Sequence, residues 1–225
     1  MVFDATNATA HINHWAILKE LNKKVMDLTP SRIGHMVVPT ESVPEDFTEN
    51  NINLISCGGQ ATIPILSSIS REFGGLEYVE IITTASSPSV GRATRINIDE
   101  YIHTAERAIK KYTKVPVCKA ILNISVAHPP VPFRVAMHVS CKTFELERVK
   151  EVVKEAEFRV QAYAGGYRLL TCEKMEEGRL YISVEVEGQG DFIPKYSGNL
   201  DIINSSAIVM AENIAKSIQL ESVRN

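Results

Sequence analysis

The side chain in this sequence best placed by its neighbours to do chemistry is Cys57, in the run Asn51-Ile-Asn-Leu-Ile-Ser56 followed by Cys57-Gly58-Gly59-Gln60. A short β-type run leads straight into the cysteine, and a helix is predicted to follow. That order places the sulfur on a sharp turn at a helix N-terminus, where the helix dipole and free N–H groups favour a thiolate. Gly58 and Gly59 carry no side chains, so a carbonyl could approach the sulfur and backbone N–H groups could stabilise an oxyanion. The plainer reading stays open, because a lone cysteine is more often a small buried hydrophobe. Cys118, Cys141 and Cys172 lie in or beside strand-like segments, form no C-x-x-C pair and read as structural free thiols.

The elements that must position Cys57 follow from periodicity. Val2–Ala5 ends a short strand. Ile12, Trp15, Leu18, Leu21 and Val25 recur at helical spacing over 12–26, and Asp27-Leu28-Thr29-Pro30 breaks that helix. Met36–Pro39 is a strand, and Pro44 with its acidic neighbours a loop. Pro64 in the helix after Cys57 is tolerable only in a first turn. Tyr78–Thr83 is a strand. Asn97, with Glu100 three residues on, starts a capped helix that buries Ile98, Tyr101, Ile102, Ala105 and Ile109. Strands follow at 120–126 and 135–139, then an amphipathic helix over 146–160. Tyr167–Met175 and Arg179–Val186 form a hairpin across Glu176-Glu177-Gly178, and a last helix runs from about Leu200 to Ile218. The opening strand–helix–strand pattern and the antiparallel middle imply two lobes with a cleft between them.

Composition excludes several classes. The 24 Lys and Arg nearly balance 27 Asp and Glu, with no basic stripe for nucleic acid. No apolar run approaches the roughly 20 residues of a membrane span. The Met1-Val2-Phe3-Asp4 start has no signal-peptide character, so a cytoplasmic location is expected. No cysteine or histidine spacing marks a metal site.

Cys57-Gly-Gly-Gln-Ala-Thr-Ile-Pro64 resembles the active-site signature of acetylating acetaldehyde dehydrogenases of meta-cleavage pathways. Phe3-Asp4-Ala5-Thr6 with Ala10-His11, Asp27–Pro30, Val37-Val38-Pro39, Gly166-Tyr167-Arg168, Val184–Gly188 and Tyr196–Ile202 are similar to further blocks of that family. Ser89-Val90-Gly91-Arg92-Ala93-Thr94-Arg95-Ile96-Asn97 resembles its nucleotide loop. The resemblance implies an α/β fold in which 1–56 is a partial Rossmann-like NAD lobe, 57–195 an α+β catalytic and dimerisation lobe, and 196–225 a returning helix. It implies acetaldehyde oxidation to acetyl-CoA with NAD and CoA, Cys57 as nucleophile, Ser89 to Asn97 against the nucleotide, and Asn199 beside the nicotinamide. Taken alone, Asn199 reads as a helix N-cap. A homo-oligomer and a 4-hydroxy-2-oxovalerate aldolase partner are also implied.

Three departures stand against that pattern. The family's opening glycine-rich turn is expected before the point where this chain begins, and Gly188-Gln189-Gly190 does not replace it, since Pro194 follows where a helix should start. Arg134-Val135 stands where the family has Arg-Asp, leaving His128 and His138 as possible substitutes. Arg92-Ala93 replaces Pro-Gly, so Ala93 loses a glycine's freedom at positive φ. Two other readings therefore stay in play: a truncated, non-catalytic relative serving oligomerisation or aldolase binding, and a thiol acyl carrier that ignores NAD.

Overall fold

The computed structural model describes residues 1–43, 47–176 and 178–224. The Pro44 loop and Glu177 of the hairpin turn lie outside them. Two sheets share one helix. The first is fully parallel, in the order β1-β2-β4-β3, from β1 (Val2–Asp4), β2 (Val25–Asp27), β3 (His35–Met36) and β4 (Asn51–Asn53). The second is mixed, in the order β6-β5-β7-β9-β8. Its strands are β5 (Tyr78–Ser86), β6 (Val117–Ser125), β7 (Phe133–Ser140), β8 (Tyr167–Glu176) and β9 (Arg179–Val186). Only β5 and β6 run parallel in it; β5–β7, β7–β9 and β9–β8 are antiparallel.

The shared helix is α2 (Cys57–Glu72), with every residue from Gly58 to Ile69 buried. On the mixed sheet the strands alternate, so Val79, Ile81, Val135, Met137, Ile182 and Val184 point inward to α2, α4 (Ile98–Thr113) and α5 (Leu146–Gln161). The closing helix α6 (Gly198–Arg224), longer than the Leu200–Ile218 its periodicity predicts, packs on the parallel sheet. There Ile203, Ala207, Met210 and Ile214 pack on Met26, Val37, Ile52 and Leu54. Each large aliphatic chain buried this way contributes about 1.5–3 kcal/mol.

The first helix departs from expectation. α1 (Ala8–Glu20) ends before Val25, which belongs to β2, and the residues it buries are Ala8 and His11. Ile12, Ile17 and Leu21 are about half exposed or more. The apolar stripe does not face the sheet because a polar network holds that side. Fully buried His11 brings Nδ1 to 3.0 Å from Asp4 Oδ2 and Nε2 to 3.4 Å from Asp27 Oδ2. Asn7 caps the helix by accepting from the Ala10 amide. Pro64 is also a correction, since it sits fully inside α2 rather than in its first turn. Its missing N–H removes the ladder bond to the Gln60 carbonyl, and the helix continues because both sheets and three helices pack around it.

Burial drives the Asp4 carboxyl up, but hydrogen bonds from Thr6, His14 and His11 outweigh it and hold the group at about 2. Its contribution is therefore present above the ordinary value of 3.8 and lost as pH falls through about 2. His11→Ala leaves the Asp4 and Asp27 carboxyls without their shared partner. We expect it to cost about 3 kcal/mol or more, read as a lowered urea midpoint at neutral pH.

Candidate functional site

The elbow that presents Cys57 is built from strain and its compensation. Ile55 has φ of 65°, a left-handed conformation that a β-branched residue rarely adopts. Its amide donates to Asn53 Oδ1 at 2.9 Å, which fixes the turn. Ser56 then stands in extended geometry as N-cap of α2, its Oγ accepting from the Gly59 amide at 3.0 Å. Gln60 Nε2 reaches back to the carbonyls of Val37 and Leu54, both at 2.9 Å, tying the helix to the end of the parallel sheet. Cys57 is the first residue of the helix and only partly buried, as its position in the sequence predicts.

The two glycines serve a different purpose from the expected open approach. Both are buried. A Cβ on Gly58 would lie 2.5 Å from Thr83 Oγ1 and from Tyr101 Oη; one on Gly59 would lie 2.7 Å from Ile55 Cγ2. Each glycine makes room for protein atoms. The Gly59 amide is occupied by the Ser56 cap, so it is not a free oxyanion donor.

Cys57 lines a cavity of about 120 Å³, mostly apolar, with Leu28, Ala85, Val90, Leu122 and Ile203 among its walls. β2's following loop, α2, β5, β6, α4 and α6 all contribute to it. A larger hollow of about 430 Å³ lies beside His138 and Arg179 on the outer face of the mixed sheet. It contains no nucleophile placed at a helix N-terminus, so the smaller cavity is the chemically competent one. Burial pushes the Cys57 thiol up to about 11. The Tyr101 hydroxyl and the amides of Gly58 and Cys57 pull in the opposite direction.

Of the loop residues, Val90 and Thr94 line this cavity with Cys57, and so does Asn199 from α6. Arg92–Ile96 is not an open turn but a short helix, α3, with Gly91 at its N-cap. Ala93 is thus helical and needs no positive φ. Gly91, Arg92 and Ile96 are exposed and Ala93 is half-buried. Arg95 holds the loop itself, through Nε to Val90 O at 3.1 Å and Nη2 to Ser87 Oγ at 2.9 Å. Ser89 is buried and its Oγ donates to Ser86 O at 2.9 Å. Asn97 precedes α4 without a side-chain cap, and its Nδ2 donates to Ala93 O at 2.7 Å. Ile98, expected inside, is 36% exposed.

Asn199 is the second residue of α6 rather than its cap. Its Nδ2 donates to Ser89 O at 3.0 Å, stapling α6 to the loop. Its Oδ1 is buried without a partner. A buried acceptor left unpaired beside a cavity is costly unless a ligand satisfies it. Val135 is fully buried directly opposite Thr83 in the β5–β7 register. His138 packs its ring against Tyr181, with centroids 5.2 Å apart, and neither it nor His128 lines the Cys57 cavity. The functional candidates that sequence reasoning missed are Thr83 and the hydroxyl of Tyr101, whose ring alone was assigned to the core.

Residues 57–194 match the family model described as prokaryotic acetaldehyde dehydrogenase, dimerisation. This chain belongs to that family. It is 40% identical over 216 residues to the acetaldehyde dehydrogenase of Spirochaeta aurantia, covering 96% of this chain and 73% of that one. It is 42% identical over 218 residues to that of Geobacillus stearothermophilus, covering 96% and 74%. Among solved structures it resembles aspartate semialdehyde dehydrogenase II of Vibrio cholerae in complex with ASA. That match has a TM-score of 0.65 at 16% identity, covering 96% of this chain and 78% of the other, and it shows the fold alone. The α/β class with a Rossmann-like parallel sheet beside a mixed sheet is therefore shared with semialdehyde dehydrogenases. Among the described residues no helix is long and apolar enough to cross a membrane.

A thiol at about 11 instead of 9.0 has a thiolate population about a hundredfold lower at neutral pH. We expect iodoacetamide to label Cys57 slowly at pH 7, with a rate that climbs with pH to a midpoint near 11, followed by peptide mass spectrometry.

Proposed function

We propose that this chain oxidises a small aldehyde to an acyl-CoA, acetaldehyde to acetyl-CoA being the reading its relatives' names support, through a thioester on Cys57. The observation that carries the reading is Cys57 Sγ at the N-terminus of α2, facing a small apolar cavity. The cavity's apolar walls, among them Leu28, Ala85, Val90, Leu122 and Ile203, suit a short aliphatic aldehyde.

The residues present fit a nicotinamide cofactor at one point, the unpaired Asn199 Oδ1, which offers an acceptor for a carboxamide N–H beside the sulfur's cavity. Ser89 to Asn97 would border it, with Val90 and Thr94 on the cavity wall. NAD, when bound, supplies the hydride acceptor that turns a thiohemiacetal on Cys57 into a thioester. The work of the chain's own residues is to hold and release carbon. The Cys57 thiolate adds to the aldehyde carbonyl, and the apolar walls keep water from the thioester. The CoA thiol, its proton passing to solvent, then takes the acyl group as Cys57 leaves as thiolate, restoring the nucleophile.

The division into an NAD lobe over 1–56, a catalytic lobe over 57–195 and a returning helix belongs to the same proposal. So does a homo-oligomer, which the dimerisation family model supports. An aldolase that releases acetaldehyde would be a fitting partner, because a volatile, reactive product gains from direct transfer.

The test is NADH formation from acetaldehyde, CoA and NAD, with Cys57→Ser alongside. The substitution is expected to lower the rate by more than about 10³-fold. Acetyl-CoA alone should leave an acetyl group on the Cys57 peptide of the wild-type chain and none on the variant. A Cys57→Ser protein that forms NADH at the wild-type rate sinks the reading. Asn199→Ala, which removes the unpaired acceptor, is expected to raise the KM for NAD about tenfold with little change in thiol labelling.

A further inference from the structure

We infer that Tyr101 is a positioning residue for the Cys57 sulfur, its hydroxyl turning from Thr83 to the thiolate as charge forms there. The inference rests on Cys57 being the nucleophile, but it concerns how the sulfur is charged rather than what it attacks.

Tyr101 Oη has Thr83, Cys57 and Ser56 as side-chain neighbours, and two of them set the choice its proton faces. Thr83 Oγ1 is 3.3 Å away and Cys57 Sγ 3.8 Å away. The hydroxyl has one proton to give. Toward a neutral thiol the bond is long, as hydrogen bonds at resting reactive sites often are. A thiolate is a charged acceptor and draws the donor closer, roughly doubling the strength of the bond. The phenol itself remains protonated, because burial raises its own ionisation well above the usual range. It is thus available as a donor at any pH at which the sulfur titrates.

The surroundings supply no charged group for the job, and Tyr101 is the side chain whose hydrogen bond reaches Cys57 Sγ. Cys57 and Tyr101 are the titratable side chains lining the cavity; what the loop after β2, α2, β5, β6, α3, α4 and α6 otherwise present there is uncharged. No lysine, arginine or histidine faces the sulfur among the described lining residues. The space is also reserved. A methyl group at position 58 would sit 2.5 Å from both Thr83 Oγ1 and Tyr101 Oη, so Gly58 keeps the two hydroxyls within reach of each other and of the sulfur. Thr83 in turn is fixed in the centre of β5, paired to β6 on one side and to β7 on the other. The phenol is therefore carried by α4 and faces a partner fixed in the sheet, and Tyr101 as a whole is 4% exposed.

The experiment is the pH profile of Cys57 alkylation in the intact chain, read on the Cys57 peptide, for wild type and Tyr101→Phe. Phenylalanine keeps the buried ring and deletes only the donor. The midpoint is expected to move up by about one unit, so that labelling in the rising part of the profile slows about tenfold. A second protein carrying 3-fluorotyrosine at position 101, a stronger donor with an unchanged fold, is expected to move the midpoint down. Circular dichroism spectra that superimpose exclude unfolding as the cause. A midpoint that stays in place in both proteins overturns the inference, because a merely structural ring would alter stability without touching the titration of the sulfur. A shifted midpoint in a chain that forms no NADH upholds the role of Tyr101 and removes the dehydrogenase reading. An unmoved midpoint with Cys57-dependent NADH formation does the reverse.

Discussion

The fold depends on burying α2 on every side while leaving its first residue accessible. A helix covered by α4, α5, α6 and both sheets has nowhere to shed the polar groups of its N-terminus, so those groups must be satisfied at the elbow. Ser56 Oγ takes the Gly59 amide at 3.0 Å and Ser56 O the Gln60 amide at 2.9 Å. Tyr167 of β8, fully buried, donates its hydroxyl to Ala61 O at 2.7 Å and so ties the helix to the mixed sheet. Gln60 joins the same helix to the parallel sheet. The strained backbone at Ile55 persists because these bonds over-determine it, and a residue held that way carries about 1–3 kcal/mol of strain. Most of the run that follows Cys57 thus serves to hold the sulfur, not to touch substrate.

That distinction shows what was legible in the sequence. Strand–cysteine–helix order was readable because β4, the Ser56 cap and α2 are each local, and each obeys local rules. The hairpin of β8 and β9 and the amphipathic helix α5 were readable for the same reason. The face of α1 was not. Ile12 and Leu21 follow helical spacing, yet the sheet side goes to His11, whose partners Asp4 and Asp27 come from two strands that no spacing in the helix encodes. Pro64 departs from its local rule in the same way, since its cost is met by packing on all sides of α2, which the helix's own spacing does not encode.

The site was partly legible for a related reason. Cys57, the loop residues Val90 and Thr94, and Asn199 come from three separate segments, and only the chain's resemblance to a family grouped them in advance. Residue types alone gave Asn199 a capping role, whereas the fold sets it one position inside α6 and uses its amide to hold the Ser89 carbonyl. Tyr101 was read as core from its spacing in α4, and its ring is core. Its hydroxyl became visible as a site group once β5 and α4 were packed, because Thr83 and Tyr101 are separated by a strand end, a short helix and a turn.

Electrostatics gives those late-found groups their weight. An apolar cavity protects a thioester from water but makes an unassisted thiolate expensive, and burial accordingly pushes Cys57 up to about 11. The same low-dielectric surroundings strengthen any donor that reaches the sulfur. With Val135 supplying only packing opposite Thr83, the polar contributions near Cys57 reduce to the α2 amides and one phenol. The two requirements, a dry wall and a charged nucleophile, are reconciled by a neutral donor, since a second charge in that cavity would itself have to be desolvated.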